Sequence, residues 1–92
     1  MAQKIRVRHM ITEGNNPAVN HFIIDTDEGV YFQSYNSIIA FVPIGDNKTQ
    51  LDKVYWNYSR TTGKYRNQFL GESFQDTRRK IDMGIYELVD LQ

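Results

Sequence analysis

Alternation of apolar and polar positions is the clearest pattern in the first half of the chain, and it predicts β-strands. Residues 4–11 alternate apolar side chains and His9 with three bases and Met10. Bases on an exposed edge discourage pairing between molecules, so we expect an edge strand with one basic face. Similar patterns predict further strands at 21–26, 30–35, 37–44 and 49–58.

Turn-forming residues separate these strands. The segment 13–20, EGNNPAVN, is expected to be a loop because of its Gly, Asn and Pro content. Residues 27–29, Asp-Glu-Gly, supply a hairpin connection, and shorter turns are expected at 36–37 and 45–48. Connections this short join neighbouring strands, so the sheet is predicted to be an antiparallel meander.

The segment 37–44, SIIAFVPI, is the most continuously apolar run in the chain. A run of this kind is typical of a strand that is covered on both faces. Pro43 is expected at its end, because proline cannot donate to the hydrogen-bond ladder.

The segment 54–71, VYWNYSRTTGKYRNQFLG, contains the only tryptophan and three of the six tyrosines. Its first five residues alternate faces and continue the strand 49–58, with Trp56 as a core anchor. Hydroxyl side chains then predict a helix start, and we assign Thr61 and Thr62 to its cap. Tyr65 and Phe69 share one helical face, and Gly71 is placed to end the helix in a left-handed conformation.

A second helix is predicted to begin at Ser73. Ser73 and Asp76 have the spacing of a capping box with aspartate in the place of glutamate. Phe74, Thr77 and Ile81 would share the inner face of this helix, and Gly84 would end it. Residues 85–91 then form either a last strand or a packed tail. The predicted fold is a single α+β domain over residues 1–92, with one antiparallel sheet of about five strands and two short helices in the C-terminal half.

Length and composition limit the cellular setting. A domain of 92 residues buries a modest core, so its stability margin is narrow, and a homodimer would widen it. Without cysteine the chain has neither disulfides nor thiolate chemistry. The first residues lack the apolar run of a signal peptide, and no window has the roughly 20 apolar residues of a membrane span. We therefore expect a cytoplasmic protein that does not enter membranes.

Charge is balanced overall but is unevenly distributed. Eleven bases and eleven acids cancel, yet residues 53–80 hold seven bases against Glu72 and Asp76. A solvated surface of mixed charge explains most such runs. If the segment recognises a ligand, bases and aromatics interleaved in this way suit phosphate contacts and stacking. The candidate binding residues are Tyr55, Tyr58, Arg60, Lys64, Arg66, Arg78, Arg79 and Lys80.

Groups with the spacing of a catalytic or metal site are scarce. His9 and His21 are the only histidines, and neither has a recognisable nucleophile or ligand neighbour. Residues 25–29 begin like a calcium loop, but Asn36 stands where a bidentate glutamate is required. Thr62-Gly63-Lys64 lacks the earlier glycine and the trailing hydroxyl of a phosphate-binding loop. We therefore expect no enzymatic activity, no cofactor and no bound metal.

Two motifs in order carry a family resemblance. Residues 29–40, GVYFQSYNSIIA, and residues 56–65, WNYSRTTGKY, followed by Phe69-Leu70, resemble an uncharacterised family of small proteins encoded by phages, prophages and plasmids, chiefly of Gram-positive bacteria. The similarity extends from about residue 22 to residue 86. It assigns no functional residues. It implies an accessory role, often stoichiometric binding to host machinery or to host defences such as CRISPR effectors and restriction enzymes.

Two functions remain open at this point. In the first, the protein binds a host protein and inhibits or redirects it, with tyrosines, arginines and acidic turns at the contact. In the second, it binds nucleic acid through residues 53–80. Neutral overall charge favours the first, since nucleic-acid-binding domains are usually strongly basic.

Overall fold

A computed structural model describes residues 4–92, which form one mixed six-stranded sheet and two helices. The strands follow the sheet in chain order, and β1 to β5 are antiparallel while β6 pairs parallel to β5. The predicted α+β class and the two helices in the C-terminal half are confirmed. The elements are β1 (Arg6–Ile11), β2 (Pro17–Thr26), β3 (Gly29–Ser34), β4 (Ser37–Pro43), β5 (Gln50–Asp52), α1 (Arg60–Leu70), α2 (Phe74–Asp82) and β6 (Glu87–Val89).

The core lies between the helices and one face of the sheet, here called the helix side. A cross-strand row on this face runs from Ile23 through Phe32 and Ala40 to Leu51. Phe32 is fully buried and stacks on Phe69 of α1, with ring centroids 5.6 Å apart. Burying a side chain of this size stabilises the fold by about 1.5–3 kcal/mol, so this row fixes the helices on one face.

The predicted strand 49–58 is wrong beyond Asp52. The buried Asp52 carboxylate accepts the backbone N–H groups of Val54 at 3.0 Å and Tyr55 at 2.8 Å, which bends the chain into a turn. It also accepts the Leu91 N–H at 2.9 Å. Burial alone raises the pKa of Asp52, but hydrogen bonds from Leu91, the Gln92 side chain and the turn amides outweigh it and lower the pKa. The alternating aromatics at 54–58 therefore lie in a turn that this carboxylate holds.

Two other strand predictions need correction. The strand β2 begins at Pro17, within the predicted loop 13–20, because Pro17 pairs with Ile11 and Ala18 is buried in the core. The prediction that 37–44 is covered on both faces is also wrong. The helices cover only one face of β4, although Pro43 does end the strand as expected.

The helix α1 is capped by Ser59. The Thr62 N–H donates to Ser59 Oγ at 3.1 Å, so the assignment of the cap to Thr61 and Thr62 is wrong. Thr62 is instead fully buried, and its hydroxyl shares a hydrogen bond of 2.9 Å with Ser34 Oγ of β3. Gly71, with φ of 69°, ends the helix as predicted.

The helix α2 follows its sequence signals closely. Ser73 and Asp76 form the predicted capping box. At the other end, the N–H groups of Gly84 and Ile85 donate to the carbonyls of Ile81 and Lys80, which is the Schellman arrangement. The chain then returns as β6, so the strand alternative for 85–91 is confirmed. Within the described residues, neither helix is long and apolar enough to cross a bilayer.

Candidate binding surfaces

The three basic residues of α2 that are candidates for binding each form an ion pair with a carboxylate. Arg79 Nη2 lies 2.8 Å from Asp76 Oδ1, Arg78 Nε lies 3.7 Å from Asp82 Oδ1, and Lys80 Nζ lies 2.6 Å from Glu72 Oε1. The first two pairs are exposed and contribute little to stability. All three pairs nevertheless cancel charge locally, so each of these candidate binding residues is matched by a nearby carboxylate.

Glu72 is the centre of a buried polar network. Its carboxylate accepts the Thr77 hydroxyl at 2.5 Å, the Lys80 ammonium at 2.6 Å and the Tyr86 hydroxyl at 2.7 Å. Burial raises the pKa of Glu72, but these three donors outweigh it and lower the pKa. Hydrogen bonding to Glu72 is in turn the main cause that raises the pKa of Lys80. Lys80 is therefore a structural residue that joins α2 to the α1–α2 corner.

Arg66, one of the candidate binding residues, is only 1% exposed. Its Nη1 donates to the Trp56 carbonyl at 2.7 Å, and its Nη2 donates to Asn67 Oδ1 at 2.9 Å. The guanidinium carbon also lies over two aromatic rings, 5.3 Å from the centroid of Trp56 and 5.6 Å from that of Phe74. Within residues 4–92 no carboxylate oxygen lies within the 4.0 Å of an ion pair. Burial lowers the pKa of Arg66, against an opposing contribution from Glu72. The guanidinium is thus a buried positive charge with neutral partners.

Arg66 forms part of a surface depression at the start of α1, here called the α1 cleft. Its volume is about 700 Å³. Arg60 and Lys64 lie one helical turn apart along its rim. Within residues 4–92 the only carboxylate paired with either is the highly exposed Glu13, 4.0 Å from Lys64 Nζ. The lining residues are Asn57, Ser59, Arg60, Gly63, Lys64, Arg66, Asn67 and Phe74.

Tyr55 and Tyr58 lie away from the α1 cleft. Their rings meet edge to face with centroids 5.4 Å apart, and both line a separate cavity of about 390 Å³ together with Tyr35. Tyr35 sits in the β3–β4 turn with φ of 55°, which is unusual for a bulky residue. The predicted binding residues therefore divide between the cleft, the tyrosine cavity and the paired bases of α2.

The face of the sheet opposite the helices, here called the open face, is apolar. One cross-strand row on it runs from Val7 through Ile24 and Tyr31 to Phe41, and the rings of Tyr31 and Phe41 stack 4.3 Å apart. No described helix lies on this row, in which Val7 is exposed while Ile24, Tyr31 and Phe41 are half-buried. At the edge of the sheet, Ile5 just before β1 is 63% exposed and Val7 is 59% exposed, while Met10 points into the core. Apart from Met10, the apolar residues of β1 therefore face solvent. The alternation of residues along the strand does not by itself show which side is buried.

The open face contains a hollow of about 420 Å³. Side chains of β2, β3 and β4 bound it, together with residues just before β1, in the β2–β3 turn and after β6. Most of its walls are aliphatic or aromatic, with Glu28 as the one charged member. The lining residues are Ile5, Ile24, Thr26, Glu28, Tyr31, Ile38 and Leu91.

Charges around the open face are mainly acidic. Asp46, Lys48 and Glu87 line a neighbouring cavity of about 480 Å³ that reaches Phe41, while Glu28 lines the hollow. Among the described ion pairs, none includes Glu28, Asp46 or Glu87. Among the residues that line these two cavities, three carboxylates thus stand beside one lysine. The cavity at Ile5 and Thr26 adds Lys4 and Arg6 together with Asp25 and Asp27, so acidic side chains outnumber basic ones around the face.

The histidines do not assemble a reaction site. His21 is buried, its Nδ1 lies 2.8 Å from the Val19 carbonyl oxygen, and the centroid of its ring lies 4.3 Å from that of Tyr65. His9 Nδ1 lies 3.1 Å from the Ala18 carbonyl oxygen. The part of the chain that the structure describes has no group of three His, Asp or Glu side chains that could hold a metal ion.

Comparisons with known proteins give one match. Residues 5–84 match a family of unknown function, DUF8033, which covers most of the chain, including β1 and both helices. Neither the curated proteins nor the solved structures include a match to this chain. The resemblance to an uncharacterised family is therefore correct at that level, and the chain belongs to the DUF8033 family of unknown function.

Proposed function

We propose that this protein acts without enzymatic chemistry, by stoichiometric binding of another protein through the open face. The observation that supports the proposal is the apolar row from Val7 to Phe41, on which no described helix lies. Exposed contiguous apolar patches mark interaction sites on soluble proteins. Here Ile5 and Val7 are 63% and 59% exposed, and the rest of the row is half-buried beside them.

The apolar run of β4 supports the same conclusion. Its pattern is that of a strand covered on both faces, yet only the helix side is covered in this chain. Phe41 and Ile38 project to the open face, where they adjoin Tyr31 and the hollow. A partner laid on this face would supply the second covering layer that the sequence pattern demands.

The charges beside the face support one chemistry for the partner. Glu28, Asp46 and Glu87 line its two cavities with Lys48, and Asp25 and Asp27 adjoin it with Lys4 and Arg6, so carboxylates are in excess. Two copies packed face to face would bring like charges together, which disfavours a second copy as the occupant. The proposed partner presents an apolar element bordered by lysine or arginine side chains.

Nucleic-acid binding through residues 53–80 is a weaker alternative. Three of its bases, Arg78, Arg79 and Lys80, are paired with carboxylates. Duplex recognition depends on many unpaired cations at the surface. A basic host protein fits the open face better than a phosphate backbone fits α2.

The resemblance to phage, prophage and plasmid proteins suggests which partner to seek. We propose an accessory protein of such an element that binds a host protein in the cytoplasm. A nucleic-acid-processing defence protein, such as a CRISPR effector or a restriction enzyme, has the basic surface that the carboxylates beside the open face would contact.

The test compares two double variants of matched exposure. Ile5→Ser with Val7→Ser removes apolar surface from the open face, whereas Val54→Ser with Met83→Ser removes side chains that are each 65% exposed elsewhere. Candidate partners captured from a host lysate are purified, and their binding to each variant is measured by calorimetry at low and physiological salt.

The proposal is supported by a one-to-one complex whose affinity falls about tenfold or more in the open-face variant. The affinity should also fall as salt is added and should be unchanged in the control variant. Sedimentation of the free protein tests whether the face binds a second copy of the chain instead. Self-association that only the open-face variant abolishes would assign the face to a second copy. Equal binding by both variants would move the interface elsewhere.

A further inference from the structure

The α1 cleft has an electrostatic imbalance that the open-face proposal does not use. The first turn of α1 contains no acidic residue, although helix N-termini favour negative charge. Arg60 stands there instead, and Lys64 follows four residues later, a spacing at which like charges repel. Within the described chain, the N–H groups of Arg60 and Thr61 have no acceptor. Each of these features would be relieved by an anion.

Arg66 provides an independent indication of a ligand. A guanidinium has five N–H groups, but this one makes three hydrogen bonds, all to neutral oxygens of Trp56, Asn57 and Asn67. Its buried Nε has no partner within the described residues. The Glu72 carboxylate acts on this charge only from beyond ion-pair distance. Burying a charge that no anion contacts is costly, and a ligand in the cleft would bring such an anion.

Gly63 lies beside this guanidinium. A Cβ built on Gly63 would lie 3.7 Å from both Nη1 and Nη2 of Arg66, and these are the nearest atoms to it. The contact is an ordinary one, so packing does not require glycine here, and glycine within a helix is less favourable than alanine. Both residues line the cleft although both are buried, so a methyl group at Gly63 would stand between a ligand and the guanidinium.

We propose that the α1 cleft binds a phosphate group, with Arg60, Lys64 and Arg66 supplying the positive charge and the amides of Arg60 and Thr61 donating hydrogen bonds. Three cations and a helix N-terminus exceed the charge of a carboxylate and suit a dianion. Inorganic phosphate and phosphomonoesters such as a nucleotide 5′-phosphate share this chemistry. The cleft lies on the helix side of the sheet, so the proposal stands independently of the open face.

The test is a titration followed by ¹H–¹⁵N NMR, which observes both the backbone amides and the Arg66 Nε–H group. Inorganic phosphate, adenosine 5′-monophosphate and adenosine are added to the full chain at constant ionic strength. Phosphate is expected to shift the amides of Arg60 to Gly63 and the Arg66 side chain, with acetate producing at most a small shift. Tighter binding of the nucleotide than of phosphate, without binding of adenosine, identifies a phosphomonoester as the ligand, while equal binding identifies free phosphate.

Gly63→Ala is the decisive variant. Its methyl group fills the space beside Arg66, so phosphate affinity should fall at least about tenfold, while the melting temperature stays the same or rises because alanine is the better helix former. Arg79→Gln removes a base outside the cleft and should leave the affinity unchanged. Phosphate binding that survives Gly63→Ala, or that falls equally in Arg79→Gln, would overturn the proposal, as would the absence of any shift at these groups.

Discussion

Ser34 Oγ and Thr62 Oγ1 lie 2.9 Å apart in a buried hydrogen bond that joins β3 to the first turn of α1. The Ser59 hydroxyl donates to the same Thr62 oxygen at 3.1 Å, so the helix cap and the sheet are linked through Thr62. This chain of hydroxyls fixes where α1 starts relative to the sheet, and therefore where the α1 cleft lies.

Replacement of Thr62 by valine should destabilise the fold by about 1–3 kcal/mol, because Ser34 is left as a buried hydroxyl without its partner. Adding Ser34→Ala should recover part of that loss, since the orphaned group is then removed as well. Urea unfolding of the two single variants and the double variant measures the coupling. Additive losses would show that the two hydroxyls are energetically independent.

The cap assignment gives a second prediction. Ser59→Ala should cost about 1 kcal/mol, because the Thr62 N–H loses its acceptor. Thr61→Ala should change the free energy of unfolding by less than about 0.5 kcal/mol, because Thr61 is exposed and is not the cap. Thermal unfolding of both variants distinguishes the two positions. A larger loss for Thr61 than for Ser59 would return the cap to the threonines.

Signals that act over a few residues were predictable. The Ser73 and Asp76 pair, Gly71 and Gly84 each act within one helical turn, and the structure places all of them at helix ends. The geometry of each helix end is set by backbone groups a few residues away, so the local sequence is enough to predict it. Two helices and a meandering sheet follow from such local rules.

Features that depend on distant contacts were not predictable. The end of β5 depends on Asp52, whose carboxylate also binds Leu91, far along the chain. The burial of Arg66 depends on Trp56 and Phe74 folding around it. The orientation of β1 depends on Met10, which is the one residue of its polar side that enters the core. For these residues tertiary packing overrides the local pattern.

Gly29 and Gly45 provide a matched comparison of backbone constraint. A Cβ on Gly29 would lie 2.4 Å from the Val42 carbonyl oxygen, whereas a Cβ on Gly45 would meet nothing within 4 Å. Both have positive φ, so both alanine variants carry strain of about 1 kcal/mol. Gly29→Ala should cost about 3 kcal/mol or more, because β3 and β4 must also separate. Similar denaturation midpoints for the two variants would contradict this prediction.

Acid sensitivity is expected from Glu72 and Asp52, whose pKa values are both lowered in the folded state. The unfolded chain then binds protons more tightly, so the stability from these groups is complete above the ordinary carboxyl pKa of about 4. It is lost as the pH falls through the lower folded-state values. Glu72→Gln should lower stability at neutral pH by about 1–3 kcal/mol, since Lys80 loses its charged partner, and should flatten the loss at acid pH.

Glu13→Gln is the control for this prediction, because the Glu13 side chain is 90% exposed and lies 4.0 Å from Lys64. It should leave both the stability and its pH dependence unchanged. Chemical denaturation measured from pH 7 down to about pH 2 compares the three proteins. If Glu72→Gln retains the slope of the unmodified protein below about pH 4, the acid sensitivity belongs to other carboxylates, with Asp52 and its three backbone donors next to examine.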